Sequence, residues 1–309
     1  MKPAGGLTGV LARMTGMRVG VIDVGSNTVR LLVASVGGGA VRTVREEREH
    51  LGLGEEILRH GRVRRGKLDE LADVTSGYAR IARKLGVREL ETVVTAPGRQ
   101  GDSPERLLDT IGRATSADVR VASAEEEGRL AFEGAVSRTN PGDSVVAVCD
   151  VGGGSTEVVV GTELLGPAWV RSVDIGSLRL TAALFRGDPP TAAEIDAARG
   201  AVREAFAELD PPRPEHALAT GGSARAVARV IGREYGVEEL EQVVELLAGR
   251  PAAESAAALG LRPDRARTLL AGALILGEVS RHIGVPFRPA RGGIREGAAL
   301  RLAARRIAA

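Results

Sequence analysis

The sequence predicts two α/β lobes of one topology that face each other across a cleft. Three observations carry that expectation. An apolar strand ending in aspartate, a turn of small residues and a second strand run from Met17 to Val36, and the same pattern restarts at Ser144. Helical periodicity follows each copy. The length of 309 residues suits roughly two domains, and a chain of that size buries about three-quarters of the surface it exposes when unfolded.

Met17 to Val24 (MRVGVIDV) is a β-branched apolar run, and the turn GSNT leads into a second strand, Val29 to Val36. A glycine turn then opens a third strand, Ala40 to Glu47, so two successive hairpins make an antiparallel meander. Lys67 to Leu85 is helical, Leu90 to Thr95 a strand, Pro104 to Thr115 a helix, and Val119 to Ala122 a short strand. Another helix starts near Ser123. Ser144 to Asp150 (SVVAVCD) begins the second copy, followed by the turn VGGGST and the strands Glu157 to Gly161 and Ala168 to Val173. Thr191 to Leu209 and Ser223 to Ile231 are helical, with a short strand at Ala217 to Ala219 between them. Arg262 to Ile283 reads as a long buried helix, and Ile294 to Ile307 as a packing helix. Residues 17–123 are therefore assigned to a first lobe, to which 291–309 returns, and 124–290 to a second. Residues 1–16 are expected to be a disordered extension, with Met17 a candidate start.

Composition excludes several classes. Lys and Arg number 42 against 40 Asp and Glu, a net charge of +2, and aromatic residues make up 2%. Proteins of long nucleic acid carry a larger basic surplus and stacking platforms, so no specific nucleic-acid partner is expected. No apolar run approaches the ~20 residues that cross a bilayer, and the first sixteen residues lack a continuous apolar signal segment. The single cysteine, Cys149, forms no internal disulfide, which fits a reducing cytoplasm. The 41 glycines stand out, many in loops after apolar runs, where backbone that binds phosphate is expected.

The repeat carries the chemistry. DVGSNT (Asp23 to Thr28) and DVGGGST (Asp150 to Thr156) each join a strand-end aspartate to a turn of small residues. Such turns let backbone N–H groups and hydroxyls approach a phosphate, and each Asp can hold a divalent cation or a metal-bound water. Gly221, Gly222 and Ser223 open a helix after a strand, so free N–H groups there can meet an anion. Three consecutive glutamates follow Ser123. Glu126 stands three residues on and makes a capping box with it, and Glu125 pairs i,i+4 with Arg129. Glu127 shares its face with Leu130, Ala131 and Gly134 and turns inward. On the residues alone, an acidic first turn favoured by the helix dipole is an equal explanation of Glu127. The four histidines are scattered and suggest no zinc site. The basic stretch Arg62, Arg64, Arg65 and Lys67, like Arg179, either tracks a polyanion or is a solvated face.

The order DVGSNTVRLL, SAEEEGRLAFEGA, VCDVGGGSTEVVVG, ATGGSARAVAR and RGGIREGAAL resembles the exopolyphosphatase / guanosine pentaphosphate phosphohydrolase (Ppx/GppA) family. The resemblance runs from Met17 to the C-terminus. It implies two RNase-H-like lobes of the actin-like superfamily and a Mg²⁺-dependent hydrolase that releases terminal orthophosphate from polyphosphate or a phosphorylated guanosine nucleotide. It makes Glu127 the catalytic carboxylate and Asp23, Asp150 and Glu157 the metal-associated acids. It gives substrate contact to the hairpin residues Gly25, Ser26, Asn27, Thr28, Gly152, Gly153, Gly154, Ser155 and Thr156, and to Arg99, whose segment TAPGRQG departs from the family's usual loop. Longer relatives carry a further C-terminal helical region; the chain stops at residue 309, so distributive action on short polyphosphate is expected. A homodimer that lined up two clefts would supply a second grip. Three readings compete with an exopolyphosphatase: a guanosine pentaphosphate phosphohydrolase, an ATP-dependent kinase of the superfamily, and a non-enzymatic alarmone or polyphosphate sensor.

Overall fold

The computed structural model describes residues 16–139 and 141–308. The expected extension at 1–16 lies outside these, Gly16 apart.

Two five-stranded sheets repeat one topology. The first half contains β1 (Met17–Val24), β2 (Thr28–Gly37), β3 (Ala40–His50), α1 (Leu53–His60), α2 (Arg65–Lys84), β4 (Glu89–Val94), α3 (Ala96–Gln100), α4 (Pro104–Thr115), β5 (Asp118–Val121) and α5 (Ala124–Val136). Its sheet order is β3-β2-β1-β4-β5, with the meander antiparallel and β1, β4 and β5 parallel. The second half contains β6 (Val146–Val151), β7 (Thr156–Thr162), β8 (Gly166–Val173), α6 (Ser177–Leu184), α7 (Ala192–Ala205), β9 (His216–Thr220), α8 (Gly221–Ile231), α9 (Val237–Ala248), α10 (Ala252–Leu259), α11 (Pro263–Ile283), β10 (Phe287–Pro289) and α12 (Ile294–Ala308). Read from the meander edge, its sheet runs β8-β7-β6-β9-β10, with the same sense of pairing.

Both central strands are buried on both faces, which is why they read as continuous apolar runs rather than alternating ones. On one face of the first sheet, Ile22, Val24 and Leu31 pack against Leu68 and Leu71 of α2 and Leu107 and Ile111 of α4. On the other, Val21, Leu32 and Val93 meet Ala298, Ala299 and Leu302 of α12 and Leu130 of α5. The second sheet buries Cys149, Val158 and Val160 against α7, α8, α9 and α11, and Val146, Val148 and Val159 against Phe132, Ala135 and Val136 of α5. Helix α5 therefore lies between the sheets and is packed from both sides. Its contact with α12 is backbone to backbone: a Cβ at Gly134 would stand 1.9 Å from Gly293 O, and one at Gly297 2.1 Å from Leu130 O.

Six elements go beyond the sequence reading: α1, α3, α6, α9, α10 and β10. Helices α1, α6 and α10 have eight residues each and β10 three. Helix α3 has five, with Pro97 and Gly98 inside it, and owes its form to packing rather than propensity. The capping box at α5 closes on one side only. Ser123 Oγ accepts from Glu126 N at 3.1 Å, while the Glu126 carboxylate turns to Arg120 at 2.6 Å, where it meets a full charge. The expected pair of Glu125 and Arg129 is present at 2.8 Å.

Candidate active site

Strands β1 and β6 deliver Asp23 and Asp150 to one cleft, and each strand's hairpin folds the same way. Gly25 N donates to Thr28 O at 3.1 Å, and Gly152 N donates to Ser155 O at 3.0 Å. The second hairpin is also seated on α6, since Ser177 N donates to Gly152 O and Leu178 N to Gly153 O. Between the hairpins lies a narrow cavity of about 90 Å³. Gly25, Ser26, Asn27 and Thr28 line one wall, Gly152, Gly153, Gly154 and Ser155 the other, with Asp23, Asp150, Glu127, Gly221 and Gly222 completing it. Gly221 has φ +85°, and a Cβ there would stand 2.6 Å from Asp150 Oδ1, so only glycine keeps that carboxylate's place.

Glu127 enters from the first turn of α5, 5% exposed. Arg99 of α3 places Nη2 2.8 Å from Glu127 Oε2, close as an ion pair but without an N–H aligned on that oxygen. The same guanidinium donates to Ala122 O at 2.8 Å and to Ser155 Oγ at 3.3 Å. Arg99, which the resemblance implies as a phosphate contact, meets the carboxylate and the second hairpin. Burial pushes the Glu127 carboxyl up to about 7; Arg99 opposes the rise and the Asp150 charge adds to it. Asp150 is pushed up to about 6, by burial first and then by Asp23. Burial also raises Asp23, with Arg30 and Arg295 pulling it back.

Besides Arg99, three residues grouped with the site in the sequence do not line the cavity. Thr156 is fully buried and donates its hydroxyl to Ile175 O at 2.7 Å. Ser223 faces Gly272 of α11. Glu157 sits 1% exposed beside α5, where its Oε1 accepts from Ser172 Oγ at 2.8 Å. Its Oε2 is buried with no donor among the described residues. Burial and the charges of Glu127 and Asp150 hold its carboxyl well above the usual range.

The sequence reading missed the arginines. Arg30 faces Asp23 across β1 and β2, just as Glu157 faces Asp150 across β6 and β7. The two hairpins thus carry opposite charges at one register position, a signal available by aligning the repeats. A wider chamber of about 620 Å³ adjoins the narrow cavity and shares Asp23, Arg30, Asp150 and Gly221 with it. Arg48, Arg138, Arg225, Arg291 and Arg295 also line the chamber. Burial and the charges of Arg225 and Arg295 lower Arg30 to about 9. Glu46, Glu47 and Glu296 share this lining, and Arg295 pairs with Glu46 at 2.9 Å. The basic stretch of the first lobe has the plainer role: Arg64 pairs with Glu56 at 2.9 Å and Lys67 with Glu70 at 2.6 Å.

Among the described residues, no group of three or more His, Cys, Asp or Glu is arranged to hold a metal ion. Mg²⁺ does not require one, since it usually takes one or two carboxylates and completes its shell with water and substrate phosphate. Asp23 and Asp150, facing one cavity and each destabilised as an anion by burial, fit that pattern. Glu157 lies outside the lining of this cavity and pairs across the strands with Asp150.

Two lobes of this topology, closed on glycine hairpins, buried carboxylates and arginines, define a phosphohydrolase of actin-like fold. The chain belongs to the Ppx/GppA phosphatase family, whose sequence model matches residues 32–306. It is 29% identical over 276 residues to exopolyphosphatase 1 of Mycobacterium tuberculosis, spanning 84% of this chain and 80% of that protein. It is 29% identical over 292 residues to exopolyphosphatase 2 of the same organism, spanning 86% and 91%. The crystal structure of the Aquifex aeolicus Ppx/GppA family member superposes with a TM-score of 0.81 at 25% identity, covering 94% of this chain and 98% of that one. Among the described residues, no helix is long and apolar enough to cross a membrane.

Proposed function

We propose that the protein removes terminal orthophosphate from short inorganic polyphosphate in the cytoplasm, with Mg²⁺ as cofactor. One observation carries the reading: Glu127 borders a cavity wide enough for a phosphoryl group, and that cavity opens into a chamber lined by six arginines. Among the described residues, no aromatic side chain lines either space, which favours a chain of phosphates over a nucleobase.

In this reading the terminal phosphoryl group enters between the hairpins and the rest of the chain lies along the arginines. The Glu127 carboxylate orients a water against the phosphorus and accepts its proton. Phosphoryl transfer has a loose transition state, so positioning and charge matter more than a strong base. A carboxyl pushed up to about 7 is matched to that proton transfer near neutral pH. Arg99 fixes the carboxylate's direction. Mg²⁺ held by Asp23 and Asp150 would supply positive charge to the transferring and bridging oxygens.

Orthophosphate release from short polyphosphate, guanosine pentaphosphate and ATP, compared at equal concentration, tests the proposal. Polyphosphate should give the largest kcat/KM. Faster turnover of either nucleotide would contradict it.

A further inference from the structure

Helix α3 carries Arg99 to Glu127, yet little in its own sequence holds it there. Its five residues include Pro97 and Gly98, and the Thr95 side chain does not cap its start. Its direction is therefore set by what packs around it. On the side of the first sheet, Gly98 is pressed on β4 and β5: a Cβ there would stand 2.8 Å from Val121 and 3.1 Å from Val94. On the side of the second sheet, the helix is held through the residue after Arg99.

Gln100 Nε2 donates to Asp174 Oδ1 at 2.8 Å and, more weakly, to Gly154 O at 3.4 Å. Both partners are acceptors, which settles the amide nitrogen as the atom turned to them. The amide also lies against the glycine hairpin, since a Cβ at Gly154 would stand 2.7 Å from Gln100 Oε1 and 3.0 Å from Nε2. Asp174 is placed by its other oxygen, with Oδ2 2.5 Å from Arg179 Nη1. The segment from Asp174 to Arg179 is also the seat of the hairpin. Ser177 N donates to Gly152 O at 2.9 Å, and Leu178 N and Arg179 N both donate to Gly153 O at 3.0 Å. Consecutive side chains of α3 thus engage consecutive residues of the hairpin, Gln100 at Gly154 and Arg99 at Ser155. Asp174 is exposed, and exposed polar pairs contribute little to stability. What this one supplies is direction.

We propose that Gln100, anchored by Asp174, is a positioning residue for the hydrolysis: it holds α3 in register with the glycine hairpin and so keeps the Arg99 guanidinium on Glu127. The proposal rests on Glu127 as the base. Asp23, Asp150 and Glu157 also face Glu127, all of them carboxylates, and Arg99 is the cation that opposes them. With α3 released, Arg99 no longer offsets those charges, and Glu127 ionises only at higher pH.

The pH dependence of kcat for orthophosphate release from short polyphosphate, measured on the full chain, tests this. Gln100→Ala removes both hydrogen bonds. Its rising limb should move to higher pH by about half a unit or more, in the direction of Arg99→Gln, which lowers kcat on that limb by about threefold or more. Asp174→Ala should give the same shift. Asp174→Asn keeps an oxygen for Gln100 and should leave the limb in place. The double variant Gln100→Ala/Asp174→Ala should shift no further than either alone, because both act through one contact. A merely structural role would lower the melting temperature and leave the limb where it was. A limb that Arg99→Gln moves and Gln100→Ala does not overturns the positioning role and leaves Glu127 as the base. A limb that neither variant moves overturns the link between Arg99 and Glu127, and the proposal with it. A shift as large in Asp174→Asn as in Asp174→Ala also overturns it, since the charge and not the hydrogen bond would then be acting.

Discussion

The Arg99 guanidinium stands 2.8 Å from the Glu127 carboxylate and also donates to Ser155 Oγ, so one side chain joins the candidate base to the glycine hairpin of the second sheet. Two opposed effects meet at Glu127. Burial removes water from the carboxylate and raises it; the arginine charge lowers it. The balance leaves a group that is neither a fully ionised surface acid nor a neutral buried one.

That balance predicts a pH profile. Glu127 must be ionised to take a proton, so kcat should rise as pH increases through about 7 and then level off. Arg99→Gln removes the lowering charge, and the rising limb should move to higher pH by about one unit or more. A profile that stays in place would mean that Arg99 does not set the carboxylate's ionisation.

Removal of the metal is a second test. Phosphate release should vanish with EDTA and return with added Mg²⁺. Asp150→Asn should behave like the chelated protein and gain nothing from Mg²⁺. Full turnover in EDTA would contradict a metal between Asp23 and Asp150.

The same carboxylate has a cost to the fold. Asp150 is pushed from 3.8 up to about 6. A folded-state value above the unfolded one means that its contribution to stability is complete below about pH 4 and is lost as pH rises through about 6. Above that, ionised Asp150 disfavours the metal-free fold by roughly 2–3 kcal/mol. Asp150→Asn should therefore melt several degrees higher than the unmodified metal-free protein at pH 8, with little difference at pH 4. A lower melting temperature at pH 8 would show that the aspartate is held by favourable contacts instead.

Gly134 sets how closely α5 approaches α12. Its absent Cβ would lie 1.9 Å from Gly293 O, an atom of backbone that has no room to retreat. Gly134→Ala should destabilise the protein by about 1–3 kcal/mol and, because α5 carries Glu127, lower kcat more than it raises KM. Calorimetric melting and steady-state kinetics on the same sample check both effects.

Much of this was legible in the sequence, and the reason is periodicity. The two strand-Asp-turn-strand copies, the long α11 and the inward face of α5 follow from alternation and 3.6-residue spacing. Glu127 followed from helix geometry together with the family resemblance. What spacing does not encode is which side chain a distant element presents. The resemblance groups Glu157 with Asp150, and their direct cross-strand pairing puts both on the sheet face that meets α5, but only a distant element, β8, supplies the Ser172 hydroxyl that Glu157 accepts from. Arg225 and Arg295 come from two helices far apart in the chain, and no local pattern marks them as one lining. Helix α3 was hidden by its own Pro97 and Gly98, although it carries the arginine that meets Glu127.

The most direct test of the account is Glu127→Gln, measured for both orthophosphate release and polyphosphate binding. Glutamine keeps the size and the hydrogen-bonding reach of the side chain and removes its basicity. Turnover should fall by ~10²-fold or more, while the affinity for short polyphosphate, held by the hairpins and arginines, should stay within about threefold, since the chain's phosphates are gripped elsewhere. A variant that turns over within about threefold of the unmodified protein would contradict Glu127 as the base.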